Sequence, residues 1–374
     1  MAQNLFQQFY RIVRSLPSSA YHKDLNRVYK EFNGLILDNV IGDIPDLQDY
    51  FDKIRKEIGP DTRVLISYHN PSWEPILTLA SSLCLRKRVG IQNWLDQGDL
   101  KNILNLSGFE VISSQKRFFG ITTITIAEPV HRSPFTVHQY SVSIIIPARN
   151  EEGNIAKIIP SIPKFGKKQE IIFIEGHSTD ATWKKVKNEE RKRKNVSVLK
   201  QIGKGKADAV WQGFAKAKGN VLMIYDADRT VNANDLPKFY NALISHPNSF
   251  INGSRMIYPM ENQAMRTLNK IGNKIFSSLF TWILGQRFKD TLCGTKALFR
   301  KDYLYMRSHN KKYFKMDPFG DFALIFGAIK NNLKVIEIPV RYKEREYGVT
   351  NINRFKHFLI LLGMTIRAFK EFKL

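Results

Sequence analysis

Residues 221–228 read VLMIYDAD, an apolar run that ends in two aspartates separated by one alanine. A continuous apolar run of this length is typical of a strand that is covered on both faces, as in a parallel sheet. Alternate residues that leave a strand point in the same direction, so the carboxylates of Asp226 and Asp228 can share one divalent cation. The stretch therefore predicts an α/β sheet with a cation site at the end of one strand.

Two earlier runs of the chain repeat this pattern. Residues 142–146 and 170–174 are strand-like, and helical patterns cover 154–159, 181–193 and 206–217 between the strands. The alternation predicts a parallel, doubly wound sheet, in which ligands bind at the carboxyl ends of the strands. Acidic residues follow each run, and a buried acid requires a cation or a hydrogen-bonding partner. Acids at one edge of the sheet therefore indicate a nucleotide together with a metal ion.

The segment 129–140 separates this region from the preceding part of the chain. It contains two prolines and two histidines and shows no periodicity, which is typical of a linker. A chain of 374 residues is long enough for two domains. We predict a smaller α/β domain over residues 1–128, a larger domain over 141–351 and an amphipathic helix over 352–374.

The smaller domain also alternates strands and helices. Helical patterns cover residues 46–58 and 73–85, and residues 1–33 read mostly as helix. We expect the last two strands to pair in the antiparallel direction. The strand-like runs are residues 34–40, 63–67, 109–113 and 121–126.

The positive charge of the chain is concentrated in its second part. The chain has 58 Lys and Arg against 34 Asp and Glu, and residues 1–140 contain 16 of the former and 14 of the latter. Residues 141–374 therefore favour polyanions such as anionic lipid, nucleic acid or a phosphate-bearing substrate. The basic run 184–194 has no interleaved aromatic side chains that could stack on bases, so no specific nucleic-acid partner is expected.

Cysteine usage and hydrophobicity bear on the location of the protein. Cys84 and Cys293 cannot form a disulfide framework, and the first residues lack the long apolar segment of a secretory signal, so we expect a cytoplasmic location. The longest apolar stretches, 275–284 and 358–366, have about half of the roughly 20 residues that a membrane-spanning helix needs. Both stretches form apolar stripes near basic residues, which fits either core packing or an interfacial helix on a membrane surface.

Ordered motifs accompany the run at residues 221–228. PARNEE at 147–152 follows the first strand, EGHSTDAT at 175–182 follows the second, and GKGKA at 203–207 opens the next helix. With these motifs, residues 141–350 resemble glycosyltransferase family 2, which includes the polyprenyl-phosphate mannose and glucose synthases. The resemblance implies an inverting enzyme with a nucleotide-diphosphosugar transferase (GT-A, Rossmann-like) domain and a nucleoside diphosphate sugar as donor.

The resemblance also implies roles for individual residues. Asp226 and Asp228 would hold Mg²⁺ or Mn²⁺, and Asp321 in the segment DPFGD would act on the acceptor. An aspartate that opens an apolar helix is also a good N-cap, so this second interpretation of Asp321 stays open. The implied donor-binding residues are Pro147, Arg149, Glu151, Glu175, Asp180, Lys204, Lys206, Asp226, Arg255 and Arg345.

Three positions depart from the family pattern. Glu175-Gly176 stands in place of the usual acid pair of the base pocket, Thr230 stands where Gln or His often occurs, and Asn351 stands where the last signature ends in Lys. The pattern therefore names neither the nucleotide nor a third metal ligand. His177, between these motifs, is either a ligand or a residue of a surface turn.

A weaker resemblance concerns residues 34–127. SYHNPSW at 67–73 and LNLSGFE at 104–110 resemble the C-terminal half of class I S-adenosylmethionine-dependent methyltransferases. The glycine-rich loop that would bind the cofactor is absent, so the resemblance implies a truncated remnant without S-adenosylmethionine, in a scaffold or partner-binding role. An unrelated small α/β domain is the alternative.

The resemblance to family 2 thus implies an enzyme that transfers a sugar to an unidentified acceptor, for which a polyprenyl phosphate and a glycan hydroxyl are the candidates. A lipid-linked acceptor would place it peripherally on the cytoplasmic face of a membrane. A catalytically silent protein that binds nucleotide sugars or acts as a scaffold is the alternative, because the first domain is degenerate and because Glu175, Thr230 and Asn351 depart from the family pattern.

Overall fold

The computed structural model describes residues 34–59, 62–85, 92–117, 120–130, 139–260, 267–348 and 354–374. The helical pattern predicted for 1–33 and the departure at Asn351 lie outside this part of the chain. The chain divides into two compact units, Met1–Arg132 and Ser133–Leu374. The division falls within the segment 129–140, whose role as a linker stays a prediction.

The first unit contains one four-stranded sheet and three helices among its described residues. The strand order is β1-β2-β4-β3, with β1 parallel to β2 and the other neighbours antiparallel. The predicted antiparallel pairing of the last two strands is confirmed. The elements are β1 Gly34–Asp38, α1 Leu47–Glu57, β2 Arg63–His69, α2 Glu74–Ser82, α3 Gln97–Leu106, β3 Phe109–Arg117 and β4 Thr122–Pro129.

Helix ends in this unit follow from local chemistry. Asp46 accepts the backbone N–H of Asp49 and so begins α1. Asp96 and Asp99 form a reciprocal capping box that begins α3, which satisfies two N–H groups that a helix start leaves open. On the inner sides of these helices, Phe51 and Leu100 are fully buried and form part of the core.

The second unit contains a seven-stranded sheet and nine helices among its described residues. The strands in chain order are β5 Val142–Ala148, β6 Gln169–Glu175, β7 Val196–Lys200, β8 Val221–Ile224, β9 Ser249–Ser254, β10 Lys296–Phe299 and β11 Lys334–Pro339. The helices are α4 Glu152–Ser161, α5 Thr182–Lys192, α6 Lys206–Lys216, α7 Leu236–Ser245, α8 Thr267–Leu284, α9 Arg300–His309, α10 Lys311–Met316, α11 Asp321–Lys330 and α12 Arg354–Phe372.

The predicted α/β class is confirmed, but the sheet is mixed rather than parallel. Its order is β11-β9-β10-β8-β5-β6-β7, and β10 runs antiparallel to both of its neighbours. The strand KALF of β10 is apolar after its first residue, and an apolar run does not reveal strand direction. The edge strand β7 was not predicted because only alternate residues of VSVLK are buried.

The core of the second unit is dominated by aromatic side chains. α11 is buried along nearly its whole length, and Phe322 packs against Phe280 of α8 with ring centroids 4.6 Å apart. Helix α12 adds Leu361, Met364 and Ala368 to the same core. Core packing is thus confirmed for one face of α12. No helix in the described part of the chain is long and apolar enough to cross a bilayer.

A buried acid on β11 ties this strand to the segment before β10. The carboxylate of Glu337 accepts the backbone N–H groups of Lys289 and Asp290 at 2.9–3.0 Å. Burial raises the pKa of Glu337 to about 7, although these hydrogen bonds oppose the shift. The folded protein therefore binds a proton at this site more tightly than the unfolded chain does.

This proton should make the stability of the protein fall as pH rises. The stabilisation is complete below the ordinary pKa of 4.5 and is lost as pH rises through about 7. In thermal unfolding followed by circular dichroism between about pH 5 and pH 8, Glu337→Gln should flatten the decline of the melting temperature. The exposed control Glu344→Gln should leave the decline as it is. A decline of equal slope in Glu337→Gln and the unmodified protein would contradict the assignment.

Candidate functional site

The acidic motifs predicted to converge do follow three neighbouring strands. β5 lies between β6 and β8 and runs parallel to both, with Ala148 opposite Glu175 and Ile145 opposite Ile224. Parallel strands present their carboxyl ends at the same edge of a sheet. The segments that begin at Arg149, Gly176 and Tyr225 therefore leave the sheet side by side.

Each of the two aspartates after β8 has a cationic partner. Lys206, the first residue of α6, places Nζ 2.5 Å from Oδ1 of Asp226. Arg345 places Nη2 2.7 Å from Oδ2 of Asp228, whose other oxygen accepts the backbone N–H and the hydroxyl of Thr230. The alternation of the strand explains this arrangement, because Tyr225 and Ala227 point inward and are buried.

Lys206 is the lysine that enters the site, whereas Lys204 is exposed in the preceding turn. Burial disfavours the charged form of Lys206, but the carboxylates of Asp226 and Asp321 outweigh burial and hold its pKa above the usual range. Lys206 therefore stays protonated and lies under the influence of acids from two different segments.

Arg345 also forms an ion pair with Glu151, in the turn that follows β5. Its Nη1 lies 2.9 Å from Oε1 of Glu151. Burial raises the pKa of Glu151 to about 6, against the hydrogen bond from Asn154 and the charge of Arg345. One guanidinium thus links the first predicted motif to Asp228.

The segment that carries Arg345 is fixed to the rest of the site by its neighbours. Glu346 lies 3.1 Å from Nζ of Lys157 and 3.2 Å from Nη1 of Arg229. The ring of Tyr347 packs against Gly153, where an added Cβ would lie 2.4 Å from a ring carbon. Only glycine at position 153 allows the ring to approach this closely.

Asp321 is the first residue of α11 and faces a buried lysine. Nζ of Lys296, at the start of β10, is fully buried, lies 3.1 Å from Oδ1 of Asp321 and donates to Oδ1 of Asn252 at 2.8 Å. The N-cap interpretation of Asp321 is wrong. The residue that supplies the capping carboxylate is Asp317, which accepts the N–H groups of Phe319 and Ala323.

Lys296 was missed in the sequence, where it opens an otherwise apolar strand. A charged residue at such a position is costly unless it is paired, and this cost was the available signal. With Lys206 it forms a pair of lysines between Asp226 and Asp321, so the structure brings the predicted metal-binding and acceptor-facing acids into one charged cluster.

Arg255 is paired with a buried acid. It makes a two-pronged ion pair with Asp290, with Nε and Nη2 at 2.7 and 2.8 Å from the carboxylate, and lies over the ring of Tyr342. The same carboxylate accepts the side-chain amide of Asn273. This ion pair holds the segments after β9 and before β10 together, and donor binding by Arg255 stays a prediction.

Two further predicted donor residues have structural partners. Asp180 accepts from Thr182 and from the backbone N–H of Glu152, and these hydrogen bonds outweigh desolvation and lower its pKa. It therefore ties the start of α5 to the start of α4, and its role in donor binding stays a prediction. Glu175 accepts the N–H of Ser178 at 2.5 Å and orders the turn that follows β6. Pro147 is half-buried within β5.

His177 is a residue of that turn. It has a positive φ of 57°, and its Nε2 lies 2.9 Å from the carbonyl oxygen of Gly203. Among the described residues, no group of three or more His, Cys, Asp and Glu side chains is arranged to hold a metal ion. Asp226 and Asp228 still suit Mg²⁺ or Mn²⁺, because Mg²⁺ is commonly bound through one or two carboxylates, substrate phosphates and water.

Comparisons with known proteins find a family match for the region that carries Asp226 and Asp228. Residues 143–306 match the family model described as Glycosyl transferase family 2. The predicted resemblance to that family is confirmed for this region, whereas the methyltransferase-like resemblance of residues 34–127 stays a prediction.

Three curated relatives illustrate the similarity. The chain is 30% identical to Glycosyltransferase AglJ of Haloferax volcanii over 56% of this chain and 65% of that protein. It is 28% identical to a UDP-N-acetylglucosamine–dolichyl-phosphate N-acetylglucosaminyltransferase of Methanococcus voltae, over 59% of this chain and 94% of that protein. It is 27% identical to Dolichol-phosphate mannosyltransferase of Pyrococcus furiosus, over 56% and 59%. The matched regions thus span less than two thirds of the first and third relatives.

Solved structures show a more distant similarity. Glucosyl-3-phosphoglycerate synthase from Mycobacterium tuberculosis, in complex with Mn²⁺, UDP and glucosyl-3-phosphoglycerate, has 13% sequence identity and a TM-score of 0.45. The alignment covers 62% of this chain and 80% of that chain. Mannosyltransferase PcManGT from Pyrobaculum calidifontis has 16% identity and a TM-score of 0.44, over 63% of this chain and 68% of that chain.

The close approach of Gly294 to the charged cluster gives a steric test of the site. A methyl group at Gly294 would lie 2.0 Å from Oδ2 of Asp226 and 2.3 Å from Nζ of Lys206. Gly294→Ala should therefore displace this pair and weaken metal-dependent binding of a nucleoside diphosphate by about tenfold or more, measured by calorimetry. Gly272→Ala is the matched control, because an added methyl meets nothing within 4 Å. Unchanged affinity in folded Gly294→Ala would show that the pair does not bind the ligand.

Proposed function

We propose that this protein transfers a sugar from a nucleoside diphosphate sugar to an acceptor, with inversion at the sugar carbon. The observation that carries the proposal is a cluster of ion pairs. Lys206 and Arg345 each pair with one of the two aspartates after β8. Asp321 forms an ion pair with Lys296 in the same cluster. The family 2 match of residues 143–306 supports sugar transfer as its chemistry.

The two cations have a role during departure of the diphosphate. A nucleoside diphosphate leaving group gains negative charge as its bond to the sugar breaks, and fixed cations stabilise that charge most when water is excluded. Lys206 and Arg345 are held in place by acids and are therefore oriented before the donor arrives. A Mg²⁺ or Mn²⁺ held by Asp226 and Asp228 would add Lewis-acid stabilisation of the diphosphate.

Asp321 is the residue that we assign to the acceptor. Lys296 fixes the position of its carboxylate from inside the sheet, which leaves 10% of the Asp321 side chain accessible. A hydroxyl acceptor must lose a proton as it attacks, and Asp321 would accept that proton as a general base. A lipid phosphate is already ionised and needs no base, so Asp321 would then only orient the acceptor.

Turnover of the donor tests the function and separates the two kinds of acceptor. Asp228→Asn should reduce metal-dependent hydrolysis and transfer of nucleotide sugars by about 100-fold, because it removes a charge from the metal pair and from Arg345. Asp321→Asn should abolish transfer to a glycan hydroxyl but reduce transfer to a polyprenyl phosphate only modestly. Transfer is measured chromatographically for each acceptor with Mn²⁺ present and absent.

Asp302→Asn on α9 is the control for these variants, since it makes the same change of side chain outside the cluster. Binding of nucleotide sugars without any turnover in the unmodified protein would contradict the proposal and favour a silent binding or scaffold protein. Absence of any binding in a thermal-shift panel of nucleotide sugars would exclude both.

We further propose that the acceptor is lipid-linked and that the protein contacts the cytoplasmic face of a membrane. Two of the relatives act on dolichyl phosphate according to their names. An exposed apolar face supports the proposal: Ile275 and Trp282 of α8 and Leu359 and Ile366 of α12 are each at least 50% exposed. The ring of Trp282 stacks on Phe369 of α12, so the two helices form one continuous surface.

Basic side chains border this apolar face and complement anionic headgroups. Lys274, Arg367 and Lys370 are exposed on the same two helices. Apolar burial together with basic charge is what binds interfacial helices to anionic lipid. The face of α12 that lies opposite its core side therefore supports the interpretation of α12 as an interfacial helix.

Vesicle flotation tests this surface. Ile275→Glu and Leu359→Glu should each reduce binding to vesicles of phosphatidylglycerol and phosphatidylcholine, because a charge replaces an apolar anchor. The control Leu304→Glu changes a residue on α9 that is 49% exposed and should bind vesicles as the unmodified protein does. Equal loss in all three variants, or no binding by the unmodified protein, would contradict the proposed membrane contact.

A further inference from the structure

Arg149, in the turn after β5, and Gly176, in the turn after β6, form a small surface beside the charged cluster. Gly176 donates its N–H to the carbonyl of Ala148 at 2.8 Å, which places it beside Arg149. Gln201, directly after β7, lies on the other side of Gly176. This surface continues the edge of the sheet away from Asp228, from the end of β5 to the ends of β6 and β7.

Gly176 is enclosed by its neighbours. An added Cβ would lie 2.9 Å from Oε1 of Gln201 and 3.4 Å from Cβ of Arg149. Gln201 is held in place because its Nε2 donates to the carbonyl of Gly205 and to Asp208. The space that a second acid would need at this position is therefore taken by these two side chains.

The acid next to Gly176 is already used. Glu175 is 4% exposed and accepts the N–H of Ser178. Arg149, in contrast, is exposed and has no ion pair or hydrogen bond to another described residue. The side chain available to a base at this surface is thus a guanidinium, which offers only hydrogen-bond donors.

We propose that Arg149 selects a guanine nucleotide over a uracil nucleotide, so that the donor is a guanosine diphosphate sugar. Guanine presents two adjacent acceptors, N7 and O6, which match the fork of a guanidinium, whereas the two carbonyl groups of uracil flank an N–H donor. An acid at position 176 would instead accept that N–H. The inference rests on the proposed function, since it assumes that the donor diphosphate lies at Arg345 and Lys206.

Calorimetric titration with GDP, UDP, ADP and CDP in the presence of Mn²⁺ tests the selection. The unmodified protein should bind GDP about tenfold more tightly than UDP, in the lower part of the range for a two-pronged pair with guanine. Arg149→Ala should lose this preference and retain its affinity for UDP. Arg191→Ala removes the same charge from the exposed end of α5 and should preserve the preference.

The outcomes separate this inference from the proposed function. If no nucleoside diphosphate binds, the proposed function fails and the selection fails with it. If UDP binds as tightly as GDP or more tightly, the function stands and the selection by Arg149 is overturned. If Arg149→Ala weakens GDP and UDP equally, Arg149 contacts the ribose or the phosphates, and the selection is again overturned.

A second variant tests the role of the enclosed glycine. Gly176→Asp brings an acid next to Arg149 and displaces Gln201, so the guanidinium becomes paired and its donors are no longer available to guanine. The ratio of GDP to UDP affinity should fall to about one or below. A ratio that matches the unmodified protein, in a variant whose melting temperature shows that it is folded, would contradict the assignment.

Discussion

The arrangement of the second unit depends on one electrostatic constraint: acids at the end of an apolar sheet require cations from inside the protein. Asp226 and Asp321 are 95 positions apart in the sequence, and each is paired with a lysine that is partly or wholly enclosed. Such a buried ion pair is weak evidence for stability, because desolvation offsets the attraction. Here each ion pair fixes the positions of its two side chains, because removal of either partner would leave the other charge without compensation.

The antiparallel strand β10 is what makes this pairing possible. A parallel strand at this place in the sheet would begin at the opposite edge, and its first residue would lie far from the carboxyl ends of β5 and β8. Because β10 runs in the reverse direction, Lys296 lies opposite Ile224, the last residue of β8, and opposite Asn252 of β9. The reversed direction of β10 therefore brings the charge of Lys296 to the edge of the sheet where the acids lie.

Much of this could be predicted from the sequence, and the failures have identifiable causes. The strands β5, β6 and β8 were evident because both faces are buried and the pattern is continuous. β7 and the direction of β10 were not, since half-buried edge strands give a weak pattern and hydrophobicity carries no direction. The motifs predicted which residues lie near the site but not which partners they contact. Arg255 and Asp180 are motif residues that pair with other residues of the protein. Such pairing depends on contacts between distant segments, which a motif does not reveal.

The contact between Gly153 and Tyr347 couples two positions that are far apart in the chain. The aromatic ring occupies the volume that any side chain at 153 would need, so neither position can be altered freely while the other is kept. Grafting the 341–348 segment onto another scaffold would transfer Arg345 without the glycine against which the segment packs. The practical unit for recombination or redesign is therefore this segment together with the start of α4, even though the sequence separates them by nearly the whole domain.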